Sequence, residues 1–164
     1  MTVFVRKLTQ IRWVPAFESG PTPPELLSFL ITEDGVSLWE CEQSEADLVV
    51  ANVVALYEGR PPSFLHVAQI EEGALAPLRL HMREAPELAA PIQRLRDAHR
   101  ELLIATHEEA EGFVRVVRDA PKLRFSRTDV EAAVLRLFDS GELARERCGR
   151  AVRTVLDRER PQRG

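Results

Sequence analysis

The chain has 164 residues, 45% apolar and 29% charged, with a formal net charge of −4. This length fits one domain that buries roughly two-thirds of its unfolded surface, so no disulfide or metal staple is required, and the composition excludes disordered and fibrous chains. There is no internal repeat and no run near the ~18 apolar residues of a membrane span. The charges of Met1-Thr2-Val3-Phe4-Val5-Arg6-Lys7 follow its short apolar run, the reverse of a signal peptide, so the expected address is the cytoplasm.

Residues 3–13 are rich in β-branched and aromatic side chains and read as a strand with Val3, Val5, Ile11 and Trp13 on one face. Residues 15–24 hold four prolines and Gly20, a loop closed by a capped helical turn at Thr22-Pro23-Pro24-Glu25. Residues 29–32 and 36–41 flank Asp34-Gly35 and predict a hairpin. Residues 44–47 then cap a helix of about three turns through Leu48, Val49, Ala51, Val53, Leu56 and Tyr57, ended by Gly59-Arg60-Pro61-Pro62.

Period-two alternation in residues 64–70 and 78–83 predicts a second hairpin. With Ile70 opposite Leu78, the core face takes Phe64, His66, Ala68, Ile70, Leu78, Leu80 and Met82; the outer face takes Leu65, Val67, Gln69, Arg79, His81 and Arg83. Ile92, Leu95, Leu102, Ala105, Phe113 and Val117 recur at helical spacing and predict one long helix to Asp119, with Gly112 a weak point and Pro121 its end. Thr128-Asp129-Val130-Glu131 caps a helix through Val130, Ala133, Val134, Leu137 and Phe138. Asp139-Ser140-Gly141 breaks it, and a last helix over about 142–157 buries Ala144, Cys148, Ala151, Val152 and Val155.

The predicted fold class is α+β: a small, mainly antiparallel sheet with an inserted helix, covered by a long helix, plus a C-terminal helical pair. Residues 1–164 form a single domain, strand-rich over about 1–84 and helical over about 92–158, with a frayed tail at 159–164.

Phe4-Val5-Arg6-Lys7-Leu8 followed by Arg12-Trp13, then Ser37-Leu38-Trp39 and His99-Arg100-Glu101-Leu102, resembles a group of small uncharacterised bacterial proteins that open on an Arg-Lys…Arg-Trp strand. The resemblance spans about residues 1–105, with Leu8 where isoleucine is expected. It implies a bacterial source and brings no activity, cofactor or site residue with it.

Cys41 and Cys148 are far apart, with no CxxC pair, and read as two reduced, buried thiols. His107 and Glu111 share a helix face at i and i+4, but His99 lies about 12 Å further along a helix and no HExxH motif is present, so neither metal nor cofactor is expected. His66, on the apolar strand face, reads as a core imidazole with one partner, or as a poised acid or base. No serine elbow, phosphate loop or nucleophilic cysteine motif accompanies it.

Residues 1–90 hold 6 basic and 13 acidic side chains, and residues 91–164 hold 16 and 13, an asymmetry that suits a partner surface. Arg79, His81 and Arg83, set beside Leu65 and Val67, have the composition of a protein interface. The C-terminal helices suggest a helix-turn-helix with Arg145, Arg147, Arg150 and Arg153 for phosphates, but Glu142, Glu146 and Asp157 share their face. The leading reading is therefore a non-catalytic module that binds another protein or itself, through Arg79, His81, Arg83 and the exposed arginines of the last helix. The alternative is a nucleic-acid-binding accessory using the C-terminal pair, and the third is a small enzyme using His66. A membrane is not expected as a partner.

Overall fold

The sheet is built from β1 (Thr2–Lys7), β2 (Val36–Glu42), β3 (Phe64–Glu71), β4 (His81–Glu84), β5 (His99–Leu103) and β6 (Lys122–Ser126). Their spatial order is β4-β5-β2-β1-β3-β6, and every neighbouring pair is antiparallel. The helices are α1 (Val14–Glu18), α2 (Pro24–Leu30), α3 (Ala46–Ala55), α4 (Glu72–Leu75), α5 (Gln93–Arg96), α6 (His107–Asp119), α7 (Arg127–Asp139) and α8 (Arg150–Glu159). The computed structural model describes residues 1–8, 13–32, 34–58 and 64–160. Among these, no helix is long and apolar enough to cross a membrane.

The α+β class holds, and the sheet has helices on both faces. On one face Val3, Val5, Trp39, Leu65 and Val67 meet α3, α7 and α8; on the other Phe4, Leu38, Ala68 and Ile70 meet α1, α2 and α6. Strands buried on two sides lose polar alternation and read as near-continuous apolar runs. This corrects the outer-face assignment of Leu65 and Val67, which are 4% and 0% exposed under the α3, α7 and α8 layer.

Neither predicted hairpin forms. Residues 24–30 are helical, and α2 starts from Pro23 without a side-chain cap from Thr22. Thr22 Oγ1 instead accepts a hydrogen bond from Arg118 Nη2 at 3.0 Å. Gly35, at φ +79°, lies so close to β5 that a Cβ would come 3.0 Å from Leu103 Cδ2, so Asp34-Gly35 leads into β2. Three strands stand between β3 and β4, so Leu80 and Met82 do not face His66.

The long helix is also corrected. Residues 92–119 divide into α5, β5 and α6, because Thr106-His107-Glu108-Glu109 is a capping box that starts a new helix: Glu109 N–H donates to Thr106 Oγ1 at 3.2 Å. Gly112 is a close-packing site, where a Cβ would meet Leu78 Cδ2 at 2.9 Å. The next cap lies two residues before the predicted one, with Ser126 as N-cap and Asp129 as its partner, which leaves room for β6. Likewise the Glu42 and Glu45 side chains cap a 3-10 turn, Gln43–Glu45, that leads into α3. The expectations for Ile11, Arg12 and the Gly59-Arg60-Pro61-Pro62 stop lie outside the described residues, as does 161–164 of the tail.

Candidate functional site

Arg79, His81 and Arg83 come together at one edge of the sheet. Arg79 closes the 3-10 turn Ala76–Leu78 in the left-handed region, at φ 52°, and is exposed. His81 and Arg83 share one face of β4, opposite Leu103 and Glu101, and Arg83 Nε donates to Glu101 Oε2 at 2.6 Å. Leu65 and Val67 are remote from them, so the edge is polar.

The backbone of β4 is open on its outer side. Ala85 N–H donates to His99 O at 3.2 Å, and the register continues as Arg83 with Glu101 and His81 with Leu103. Alternation in an antiparallel ladder then turns the N–H and C=O of Met82 and Glu84 away from β5. Among the described residues no strand lies beyond β4.

The C-terminal arginines do not form a helix-turn-helix. Ten residues, 140–149, join α7 to α8 and include the 3-10 turn Arg145–Arg147, where a recognition motif has a short turn. Arg145 pairs with Asp157, while Arg147, Arg150 and Arg153 are exposed. The start of α8 is spent on structure: Gly149 N–H donates to Ala55 O at 2.5 Å and Arg150 N–H to Glu58 Oε2 at 3.3 Å.

His99 lies on β5 and is 5% exposed, with its Nδ1 donating to Ala85 O at 2.6 Å and its ring 4.7 Å from that of Trp39. His107 and Glu111 are exposed on α6. Among the described residues no group of three or more His, Cys, Asp or Glu is placed to hold a metal.

Cys41 and Cys148 are buried free thiols. Burial, with help from Glu45, pushes Cys41 up to about 12, and burial, with help from Glu146, pushes Cys148 up to about 11. Because the thiolate is the reactive form, both are expected to resist iodoacetamide at neutral pH in the native state and to react together on unfolding. Mass spectrometry after native and denatured labelling checks this, and native modification at either site contradicts it.

A groove of about 370 Å³ beside β2 and α5 contains Glu40, Glu45, Arg94 and Arg100. Its charges are mutually engaged: Arg94 with Glu45 at 2.6 Å and Glu142 at 2.9 Å, and Arg100 with Glu40 at 2.8 Å. An apolar seam between α7 and α8, lined by Val130, Val134, Val152 and Val155, offers about 30 Å³.

The most unusual electrostatics lie at the opposite edge. His66 is half-buried on β3, between Leu8, whose N–H donates to His66 O at 2.9 Å, and Arg124 of β6. Arg6 stands opposite Ala68, one pleat along from His66 on the same face. Its partly buried guanidinium donates to Ser37 O at 3.0 Å, and no carboxylate among the described residues pairs with it. The Arg124 guanidinium carbon sits 3.7 Å from the ring centroid of Phe64, which is 42% exposed. Sequence reasoning missed this group: Arg6 reads as a strand-end charge, and the period-two pattern of Lys122-Leu123-Arg124-Phe125, a strand signal, is hidden behind the helix-ending Pro121.

No protein-family model, curated protein or solved structure matches the chain.

Proposed function

We propose that the protein is a non-catalytic binding module that takes an extended, acidic segment of another protein as an added strand on β4. One observation carries this reading: the outward N–H and C=O groups of Met82 and Glu84 have no strand partner among the described residues and lie beside Arg79, His81 and Arg83. Unpaired edges are templates for strand addition, in which backbone hydrogen bonds supply affinity and flanking side chains supply selectivity. The charges offer a second copy of this chain no attractive register on the same edge. Hydrogen bonding of outward residue to outward residue allows only registers that oppose Arg83 to Arg83, Glu84 to Glu84 or His81 to Arg83. The attractive pairing of Arg83 with Glu84 needs a register one residue out of phase, and like charges directly opposite destabilise a pair. A partner with carboxylates at alternate positions meets no such conflict.

The test is binding of an octapeptide that alternates valine and glutamate, measured by fluorescence anisotropy. Glu84→Pro removes an N–H that faces away from β5, so the fold is expected to survive with a melting temperature within a few degrees, while peptide affinity falls by roughly tenfold or more. A valine and lysine peptide is expected to bind much more weakly. No saturable binding at millimolar peptide, or undiminished binding by the proline variant, overturns the reading; equal binding of the lysine peptide overturns its acidic selectivity.

A further inference from the structure

The β4 edge has a polarity along its length. Its outward backbone run is short: Arg79, at φ 52°, turns the chain before His81, and Pro86, just past Glu84, has no N–H to offer. Between these limits the side chains alternate. Met82 is half-buried and packs with Leu78 and Leu80 against the core that holds Leu102 and Phe113. Glu84 lies on the same face as Met82, and His81 and Arg83 are exposed on the other.

The two ends of this run carry opposite, uncommitted charges. Among the described residues the side chains of Arg79 and Glu84 have neither a hydrogen bond nor an ion pair. Arg100 is directly opposite Glu84 on β5, but its guanidinium is spent on Glu40 at 2.8 Å and on the carbonyl oxygens of Asp97 and His99. Arg83 gives its Nε, at 2.6 Å, and its Nη2, at 2.5 Å, to Glu101, so its charge is already met in part. A free cation therefore stands before His81 and a free anion at Glu84, with the apolar Met82 between them.

We infer that β4 takes its partner antiparallel, in the order basic, acidic, apolar, acidic from the partner's N-terminal side; the inference rests on the strand-addition reading. In that register the basic residue opposes Glu84 and the first acid opposes the remaining N–H groups of Arg83. The apolar residue opposes Met82 and extends the surface of Leu78 and Leu80, and the second acid opposes His81, with Arg79 beyond it. A parallel strand would need the reverse order, with its base last. Antiparallel pairing is the more stable per residue, and every pair in the sheet already has it.

Two hexapeptides of one composition, blocked at both ends, test the direction by NMR chemical-shift titration: Lys-Glu-Val-Glu-Val-Glu and its reverse, Glu-Val-Glu-Val-Glu-Lys. Bound antiparallel with glutamates on Arg83 and His81, the first sets lysine on Glu84 and its last glutamate towards Arg79, whereas the second sets lysine towards Arg79. The lysine-first peptide is expected to bind tighter by roughly threefold or more, with the largest shifts at the amides of Met82 and Glu84. The double variant Glu84→Gln with Arg79→Asn is expected to bind both peptides alike, and asparagine tolerates the left-handed backbone at position 79. Equal binding of the two peptides by the wild type, tighter binding of the glutamate-first peptide, or a preference that survives in the double variant overturns the inference and leaves the strand-addition reading standing. No saturable shift at the β4 amides with either peptide at millimolar concentration overturns both.

Discussion

Gly149→Ala is expected to be the most damaging conservative substitution in the chain, destabilising it by about 3 kcal/mol or more and lowering the melting temperature by roughly 6–12 °C. Gly149 is the N-cap of α8, and a Cβ there would be 2.3 Å from Tyr57 O and 2.7 Å from Tyr57 C. Both obstacles are backbone, so no side chain can swing aside. The closeness has a purpose: the first turn of α8 faces the end of α3, and Gly149 N–H donates to Ala55 O at 2.5 Å while Ala151 N–H reaches Tyr57 O at 3.4 Å. Orphan donors at one helix start thus satisfy orphan acceptors at another helix end. A methyl group pushes the two termini apart and leaves both sets unpaired inside the protein. Gly73 in α4 is the matched control, since nothing lies within 4 Å of its Cβ position. Gly73→Ala is expected to be neutral or to stabilise by about 0.5–1 kcal/mol, as alanine does in a helix. Thermal melts of the two variants compare them directly, and a Gly149→Ala protein that melts with the wild type contradicts the close docking of α8.

The class of fold was legible because it depends on periodicity, and the partnerships were not because they depend on what covers each face. The strands around Val3, Val5, Leu38 and Val67 show their character in β-branched runs. The same runs hide that both sheet faces are buried, which is why Leu65 and Val67 seemed free to border Arg79 and Arg83. Helical spacing across residues 92–119 was a coincidence of three separate elements, and the stronger local signal was Thr106 with Glu109, a cap that ends one element and begins another. Arg79, His81 and Arg83 were legible only as the outward face of an alternating strand, and the structure puts that strand at the sheet edge, away from Leu65 and Val67. Arg6 and Arg124 were not, since β1, β3 and β6 meet through connections that no local pattern specifies. Gly149 was equally silent: its backbone, at φ −65°, is ordinary, and only the neighbouring carbonyl makes glycine necessary.

Arg6→Met is expected to stabilise the protein, by about 1–3 kcal/mol and roughly 3–10 °C in melting temperature. The sign follows from linkage. Burial holds the Arg6 guanidinium at about 10 in the folded state, below its ordinary value, so the folded chain binds that proton less tightly than the unfolded one. The penalty is present wherever Arg6 is charged, is fully expressed below about pH 10, and is relieved only as the pH rises above about 10. Each unit of such a shift corresponds to about 1.4 kcal/mol, and partial exposure reduces the amount realised. Methionine fills a similar volume without charge; against that gain stands the lost bond to Ser37 O, about 1 kcal/mol. The variant should therefore gain the same stability at pH 6 and pH 8, far from the titration. If Arg6→Met instead melts lower than the wild type at both pH values, Arg6 is held by its surroundings as a structural residue, and the charge is compensated within the chain.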